Sequence, residues 1–185
     1  MAWNTPSTLK SKSFTCGHCG NQVASALGYK NVAPSGLMQS AIFICPHCVE
    51  PTYFSDNGQT PGVRPGNHVE HLPVDVAGLY HEARSCAGIG AHTSSVLACR
   101  KLLMNIAVSH GAKEGLTFVA YVEHLSSAGF VPPNGKGWVD YIRKKGNEAT
   151  HEIALMNSDD ATRLVAFAEM LLKFIYEFPA AIPTP

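Results

Sequence analysis

The sequence predicts an α+β protein, mainly α, with a small N-terminal β module followed by a bundle of about five helices. Two Cys-x-x-Cys pairs separated by apolar, β-prone residues indicate the β module. A stretch rich in Asn-Gly and Pro-Gly pairs then interrupts regular structure. From residue 73 onward apolar residues recur with the helical period. We therefore expect a partly ordered leader at 1–13, the β module at 14–55, a linker at 56–72 and the helical bundle at 73–178.

The predicted β module alternates three short strands, at 13–15, 37–44 and 51–54, with two cysteine turns. The turns are Cys16-Gly17-His18-Cys19 and Cys45-Pro46-His47-Cys48. Gly20 follows the first pair and can supply the positive φ that such a turn often needs. Pro46 stiffens the second turn.

The four cysteines Cys16, Cys19, Cys45 and Cys48 have the spacing of metal ligands. Two thiolates separated by two residues can face one ion, and two such pairs complete a tetrahedron around Zn²⁺. A site of four sulfurs leaves no coordination position open for a substrate, so the predicted cofactor is one structural zinc ion. Strands that alternate with such turns are the layout of a zinc ribbon. Two disulfides are the alternative, and His18 or His47 could replace a cysteine.

Five helices are expected in the bundle, at 75–87, 93–109, 117–127, 136–153 and from 158 to about 178. Thr93 and Ser158 are the predicted N-caps of the second and fifth helices. Phe178-Pro179 is expected to end the fifth helix. Cys86 and Cys99 lie in apolar, helix-like sequence and are interpreted as small buried hydrophobic residues.

Charge and composition narrow the classes of function. Fourteen Lys and Arg balance fourteen Asp and Glu, so no global basic field exists to hold nucleic acid. The N-terminal residues lack the pattern of a secretory signal, and no stretch is long and apolar enough for a membrane span. We expect a cytoplasmic protein with no membrane partner, where a reducing environment favours metal over disulfide.

The fourth predicted helix carries the most unusual polar pattern. Arg143, Asn147 and His151 are successive fourth residues and form one stripe on that helix. Lys144 and Lys145 make this the one convincing basic cluster of the sequence. The stripe could face a phosphate, another helix or a second copy of the chain. It could equally be a buried hydrogen-bond network that fixes the position of the helix.

These motifs together resemble a known family. A Cys-Pro-x-Cys turn precedes helices that carry Arg100 in Ala-Cys-Arg-Lys-Leu-Leu, followed by Ile142-Arg143-x-x-Gly146-Asn147-x-x-x-His151. The combination is similar to the domain of unknown function 4145 family, over residues of about 14–176. The resemblance implies that the helical part is grouped with the HEPN superfamily of small all-α domains.

Many HEPN proteins are metal-independent ribonucleases of toxin–antitoxin, restriction and phage-defence systems, and they commonly act as dimers. Their usual motif is an Arg, four to six residues, then a His, often with a polar residue after the Arg. By this resemblance His151 would transfer protons at the ribose phosphate and an Arg would stabilise charge on the phosphate. Asn147 and His151 match the motif, but Gly146 stands where the Arg is expected.

Arg143 lies too far upstream for the usual spacing, and Lys145 fits the spacing with a different side chain. Arg100, on another helix, could fill the gap in space. The candidate catalytic residues are therefore Asn147, His151 and Arg143, and the candidate nucleic-acid contacts are Arg143, Lys144, Lys145 and Arg100.

Three functions remain open at this point. The first is a prokaryotic or phage defence protein that binds RNA or DNA, with RNA cleavage uncertain because of the missing Arg. The second is a non-enzymatic module that forms a homodimer or docks on a larger effector protein. The third is a metal-dependent hydrolase built on His68, His71, His81, Glu82 and His92, although their spacings match no metal-site motif.

Overall fold

The computed structural model describes residues 3–132, 137–142 and 155–182. They belong to two compact units, Met1–Arg64 and Pro65–Pro185. The mixture of an N-terminal sheet with C-terminal helices confirms the predicted α+β class.

The described residues of the N-terminal unit form one antiparallel sheet of five strands, whose order in space follows their order in the chain. Alternate strands of such a sheet run in the same direction, so the turns after the first and third strands lie at the same end. Those two turns contain the Cys-x-x-Cys pairs. The strands are β1 (Ser7–Thr15), β2 (Gln22–Val32), β3 (Met38–Ile44), β4 (Pro51–Ser55) and β5 (Gly58–Thr60).

The sequence prediction of this sheet was incomplete. β1 begins at Ser7, inside the segment expected to be a leader, and β5 lies inside the expected linker. β2 was missed because its sequence contains small and polar residues rather than a run of β-branched ones. Its ladders to β1 on one side and to β3 on the other hold it as a strand despite that composition.

A bulge interrupts the outer strand β1. Thr8 pairs with Leu27 and Lys12 with Ser25, so four steps along β1 correspond to two steps along β2. Leu9, which lies inside the bulge, packs against the buried side chains of the sheet. A bulge of this kind bends an edge strand and redirects its side chains.

Three phenylalanines form the aromatic core of the sheet. The ring centroid of Phe54 lies 5.1 Å from that of Phe14 and 5.8 Å from that of Phe43, both edge to face. The same cluster contains the buried Cys16 and Cys45. The core of this unit is small, so the cysteines form a large part of it.

The second unit is helical. Its described helices are α1 (Val74–Gly88), α2 (His92–Ser109), α3 (Phe118–Ser127), α4 at residues 137–142, and α5 (Ser158–Leu172), with a π-helical turn (Lys173–Glu177) and the short α6 (Phe178–Ala180) after it. α2 is central, since it contacts α1, α3 and α5 and buries Leu102, Leu103 and Ile106 completely. No helix among the described residues is both long and apolar enough to cross a membrane.

Two helix starts differ from the sequence prediction. Asn157, not Ser158, caps α5, and its side chain and that of Asp160 form a reciprocal capping box. Thr93 caps no helix; α2 begins one residue earlier, and the Thr93 hydroxyl accepts a hydrogen bond from the N–H of Met156 at 3.0 Å. The hydroxyl thus joins α2 to the residue two before α5.

The end of the last helix also differs. Phe178-Pro179 does not stop it, because helical structure continues through the π-helical turn to Ala180. Pro179 lies in the first turn of α6, directly after the π-helical turn. Of the fourth predicted helix, 136–153, the structure describes residues 137–142, which are helical.

The segment expected to be a linker, 56–72, is fixed to the units on both sides of the boundary at Arg64. In its second half, the backbone N–H and side-chain amide of Asn67 donate to Glu169 at 2.8 and 3.0 Å. Arg84 donates to the carbonyls of Pro65 and Gly66, and Val69 is buried in the helical core. Turn-forming residues predicted a segment without regular structure, but β5 lies inside it, and the contacts of Asn67, Val69 and Arg84 leave no local sequence pattern.

Glu169 binds the backbone and side chain of Asn67, so we predict that Glu169→Gln destabilises residues 66–70 locally. The amide nitrogen of Gln cannot accept the bond that one carboxylate oxygen accepts, and an unpaired donor costs about 1–3 kcal/mol. Amide hydrogen exchange at residues 66–70 should become at least fivefold faster. Glu114→Gln, at an exposed carboxylate before α3, is the control and should leave those rates unchanged.

The same contact should depend on pH. Burial raises the pKa of Glu169, but hydrogen bonds from Lys173 and Asn67 outweigh it, so the pKa lies below its ordinary value. The contact therefore stabilises the fold above the unfolded pKa of about 4.3 and is lost as pH falls through the lower folded pKa. Acid should therefore lower the protection factors of residues 66–70 in the wild type, and an equal loss of protection in Glu169→Gln would contradict this assignment.

Candidate metal centre

The two Cys-x-x-Cys turns share the same backbone hydrogen bonds, position for position. In the first, the N–H of Cys16 donates to the carbonyl of Asn21 at 2.9 Å, and that of Gly20 to the carbonyl of Cys16 at 2.8 Å. The second turn repeats both bonds from Cys45 and Val49, at 3.0 and 2.9 Å. Two equivalent turns at one end of the sheet bring four thiols together.

The sulfur positions fit a tetrahedral metal site. The Sγ atoms of Cys16 and Cys48 lie 3.7 Å apart, and those of Cys19 and Cys45 lie 3.9 Å apart. All four lie within 4.8 Å of one another. Sulfurs about 2.3 Å from a tetrahedral Zn²⁺ lie about 3.8 Å apart, so both of these separations match that geometry. The site can accept a metal without rearrangement of the backbone.

Disulfides do not form here. A sulfur–sulfur bond is about 2.0 Å long, and the two separations above are nearly twice that. All six cysteines are free thiols. Cys99 is fully buried, as expected for a small apolar residue, and burial raises its pKa to about 12; Cys86 is only partly buried.

Two of the four clustered thiols have pKa values shifted in opposite directions. Burial raises the pKa of Cys48 to about 12, with added hydrogen bonding among the thiols. Burial also opposes ionisation of Cys19, but hydrogen bonds from the backbone and side chain of Asn21 outweigh it and lower its pKa to about 6. Asn21 therefore stabilises one thiolate before any metal arrives. A bound cation would displace the protons from the remaining sulfurs.

The two histidines inside the turns have other partners. His18 Nε2 donates to the carbonyl of Pro51 at 2.9 Å, and the side-chain amide of Asn21 donates to His47 Nδ1 at 3.1 Å. The first bond joins the first turn to the start of β4, and the second bond joins the two turns. The histidines connect the two turns and are not members of the ligand group, which consists of sulfur alone.

The first turn has an additional support from the chain after β5. Arg64 donates to the carbonyls of Gly17 and His18 at 3.2 and 2.8 Å. Gln59 donates from its side chain to the carbonyl of Thr15 at 2.8 Å. A Cβ at Gly17 would lie 2.2 Å from the carbonyl oxygen of Pro61, so only glycine permits this approach. This first half of the expected linker is thus part of the metal module.

The residue after each pair adopts a left-handed conformation. Gly20 has φ of 77°, as the sequence predicted, and Val49 at the equivalent position has φ of 63°. A β-branched residue with positive φ is strained, by roughly 1–2 kcal/mol. The second turn therefore stores strain that the first turn avoids.

Within the described residues, the four cysteines are the one group of three or more His, Cys, Asp or Glu that could hold a metal. His68, His71, His81, Glu82 and His92 form no such group among the described residues, so the structure gives the hydrolase hypothesis no metal site.

In the helical unit, Arg100 lies in a small pocket. Its guanidinium carbon is 4.4 Å from the ring centroid of Phe118, and burial lowers its pKa. The Tyr141 hydroxyl donates to Asp160 at 2.8 Å in the same pocket. The cavity measures about 10 Å³, room for about one water molecule and for no substrate. Its lining is Val96, Arg100, Phe118, Tyr141, Ile142, Met156, Asp160 and Leu164.

One family profile, described as a domain of unknown function (DUF4145), matches residues 81–182, more than half of the chain. The protein belongs to the DUF4145 family. No curated protein and no solved structure matches the chain.

The DUF4145 match covers most of the helical unit and leaves the sheet and its four cysteines outside. The resemblance expected from the sequence extended to residue 14, so its N-terminal part goes beyond this match. Arg100, Tyr141 and Asp160 all lie within the DUF4145 region.

The other predicted site residues lie outside the described part of the chain. Arg143, Lys144, Lys145, Asn147 and His151 all belong to residues 143–154. Their roles stay predictions. Arg100 lies in the same pocket as Tyr141 and Ile142, the two residues that precede Arg143 in the chain.

Several residues that shape the metal centre escaped sequence reasoning. Arg64 and Gln59 act from beyond the second cysteine pair, and no local pattern connects them with the first. Val49 offered a signal, since it occupies the position after the pair where the first turn has Gly20. Comparison of the two turns residue by residue predicts the strained position.

We predict that Val49→Gly stabilises the second turn by about 0.5–1 kcal/mol. Relief of the left-handed strain exceeds the extra entropy that glycine has in the unfolded chain. Hydrogen exchange of the β3 and β4 amides in the metal-loaded protein measures the effect. Gly20→Val is the matched reverse change, because a Cβ there meets no atom within 4 Å, and it should destabilise by a similar amount. The two substitutions must change stability in opposite directions. A destabilised Val49→Gly would contradict the prediction and show that the contacts of the Val49 side chain outweigh its backbone strain.

Proposed function

We propose that this DUF4145 protein is a zinc-stabilised nucleic-acid-binding protein, with RNA as its first candidate ligand, that serves in prokaryotic or phage defence. The proposal concerns binding, with cleavage left to experiment. The helical unit would be HEPN-like and would act as a homodimer, as the resemblance implies.

The observation that carries the proposal is the distribution of charge. The whole chain is neutral, but the metal module is not. Its basic residues are Lys10, Lys12, Lys30 and Arg64, and its acidic residues are Glu50 and Asp56. The helical unit has the opposite excess, apart from the run Arg143-Lys144-Lys145. A positive module and one basic run suit contact with phosphates.

Zinc is the metal that the ligand set favours. Four sulfur ligands in a tetrahedron suit Zn²⁺ or an iron centre, and a closed site has no position for substrate. Cys16, Cys19, Cys45 and Cys48 would hold the ion, which would supply structural stability and no reaction step. The sheet and its turns would then present a fixed surface to the nucleic acid.

Support for cleavage is weaker. Asn147 and His151 would supply the polar residue and the proton-transfer group of the HEPN motif, and Gly146 replaces its Arg. Arg100 is the described arginine whose position could serve that role, but it stacks on Phe118 in a pocket that holds about one water molecule. The geometry therefore favours binding as the primary activity.

A second candidate is a non-enzymatic module that docks on a partner protein or on its own copy. It is favoured by an exposed apolar stripe at the C-terminal end of the helical unit. Phe174 and Phe178, whose ring centroids lie 5.4 Å apart, are 47% and 49% exposed, and Ile182 is 70% exposed. Exposed apolar patches of this kind often mark protein interfaces.

Binding of labelled single-stranded RNA across a salt series separates the two candidates. The proposal predicts that log K falls linearly with log salt, by about 0.7 per phosphate contact, so three contacts give a slope near −2. His151→Ala should leave this affinity unchanged. Cleavage is tested by comparing the length of the labelled RNA after incubation with the wild type and with this variant. No binding, or binding indifferent to salt, contradicts the proposal and leaves the docking module as the better account.

A further inference from the structure

A groove on the sheet has properties that the metal centre does not explain. It encloses about 320 Å³ between the bulged part of β1 and the strands β3 and β4. Ala41, Phe43 and Phe54 lie among its apolar residues. Lys10 and Lys12 line it from the bulge, and Asp56 lines it beyond the end of β4. Phe43 is buried and Phe54 is partly exposed, so the groove presents the Phe54 ring beside two cations.

We propose that this groove binds one unpaired nucleotide of a single strand, with its base stacked on Phe54 and its phosphates contacted by Lys10 and Lys12. This inference rests on the proposed nucleic-acid binding and names the place and mode of contact. Aromatic faces beside a positively charged groove are the means by which proteins hold single strands without reading sequence.

Phe54 is suited to act as a stacking surface because its orientation is fixed. Phe14 and Phe43 contact it edge to face, at centroid distances of 5.1 and 5.8 Å. Its side chain nevertheless remains partly exposed. A ring held in place by two others loses little conformational freedom when a base stacks on it. The entropy cost of stacking is therefore small.

The Lys12 ammonium group occupies the face of Phe54 on which a base would stack. Its ammonium nitrogen lies 4.6 Å from the centroid of the Phe54 ring. An incoming base would replace this cation–π contact and release the ammonium group to a neighbouring phosphate. The exchange keeps Lys12 paired in both states and adds the stacking contact.

The groove lies beside the bulge in β1. The register shift falls between Thr8 and Lys12, so Lys10 belongs to the bulge and Lys12 resumes the pairing with β2. Both lysines line the groove, and a bulge is a common means of redirecting side chains at a sheet edge.

Size and chemistry favour an unpaired nucleotide over other occupants. The volume lies at the lower end of ordinary small-molecule sites and suits a single base with its sugar. A base inside a duplex does not offer its face for stacking on a side chain. Asp56 disfavours an acidic peptide, but its carboxylate can accept a hydrogen bond from the exocyclic amine of a base.

The test uses the full-length, metal-loaded protein and a fluorescein-labelled 12-nucleotide RNA of mixed A and C. Lys10→Ala and Lys12→Ala should each reduce the magnitude of the salt slope by about 0.7, the loss of one phosphate contact. Phe54→Leu, which keeps an apolar side chain in the core, should weaken binding at least fivefold through loss of stacking. Lys30→Ala is the matched control, because Lys30 lies on β2 of the same sheet and does not line the groove.

The outcomes separate the groove from the broader proposal. An unchanged slope in Lys30→Ala together with reduced slopes in the two groove variants supports the groove. Equal losses in all three lysine variants overturn it in favour of diffuse attraction by the sheet. RNA binding that none of the ribbon variants alters also overturns it and points to Arg143, Lys144 and Lys145. Tighter binding of a duplex than of the single strand overturns the stacking mode, and absence of any RNA binding overturns the proposed function as well.

Discussion

The four-sulfur cluster is the constraint on which the N-terminal unit depends. It joins the turn between β1 and β2 to the turn between β3 and β4, so one ion would connect both hairpins at a single end of the sheet. The apolar core of this unit is small, with Phe14, Ala41 and Phe43 as its buried members besides two of the cysteines. A unit of this size is only marginally stable on apolar burial alone. Metal binding worth about 10–16 kcal/mol would supply the difference.

Much of the fold followed from local sequence signals. The cysteine spacing predicted the two turns, and helical periodicity predicted α1, α2, α3 and α5 within a few residues of their observed ends. The failures have physical causes. β2 is held by its neighbours rather than by its own composition, and Asn157 outcompetes Ser158 as a cap because Asp160 completes a reciprocal pair with it. Contacts between distant residues, such as Asn67 with Glu169, leave no local pattern.

The candidate sites differ in how far sequence could predict them. Cys16, Cys19, Cys45 and Cys48 were predictable because metal geometry dictates their spacing. The groove was not, since it brings Lys10 and Lys12 of β1 beside Phe54 of β4, and contacts between strands far apart in the chain leave no local pattern. The DUF4145 match covers the helical unit and not the sheet. The two units therefore support the proposed function in different ways. The helical unit does so by family membership, and the N-terminal unit by its metal-site geometry and its excess of basic residues.

Native mass spectrometry combined with X-ray absorption spectroscopy of the purified protein tests the central claim most directly. The account predicts one zinc ion per chain, surrounded by four sulfurs at about 2.3 Å, and loss of the ion when Cys45 is changed to serine. It also predicts that chelation abolishes the slow amide exchange of β1 to β4. A metal-free protein whose strands exchange as slowly as those of the metal-loaded form would contradict the account, as would nitrogen or oxygen in the first coordination sphere.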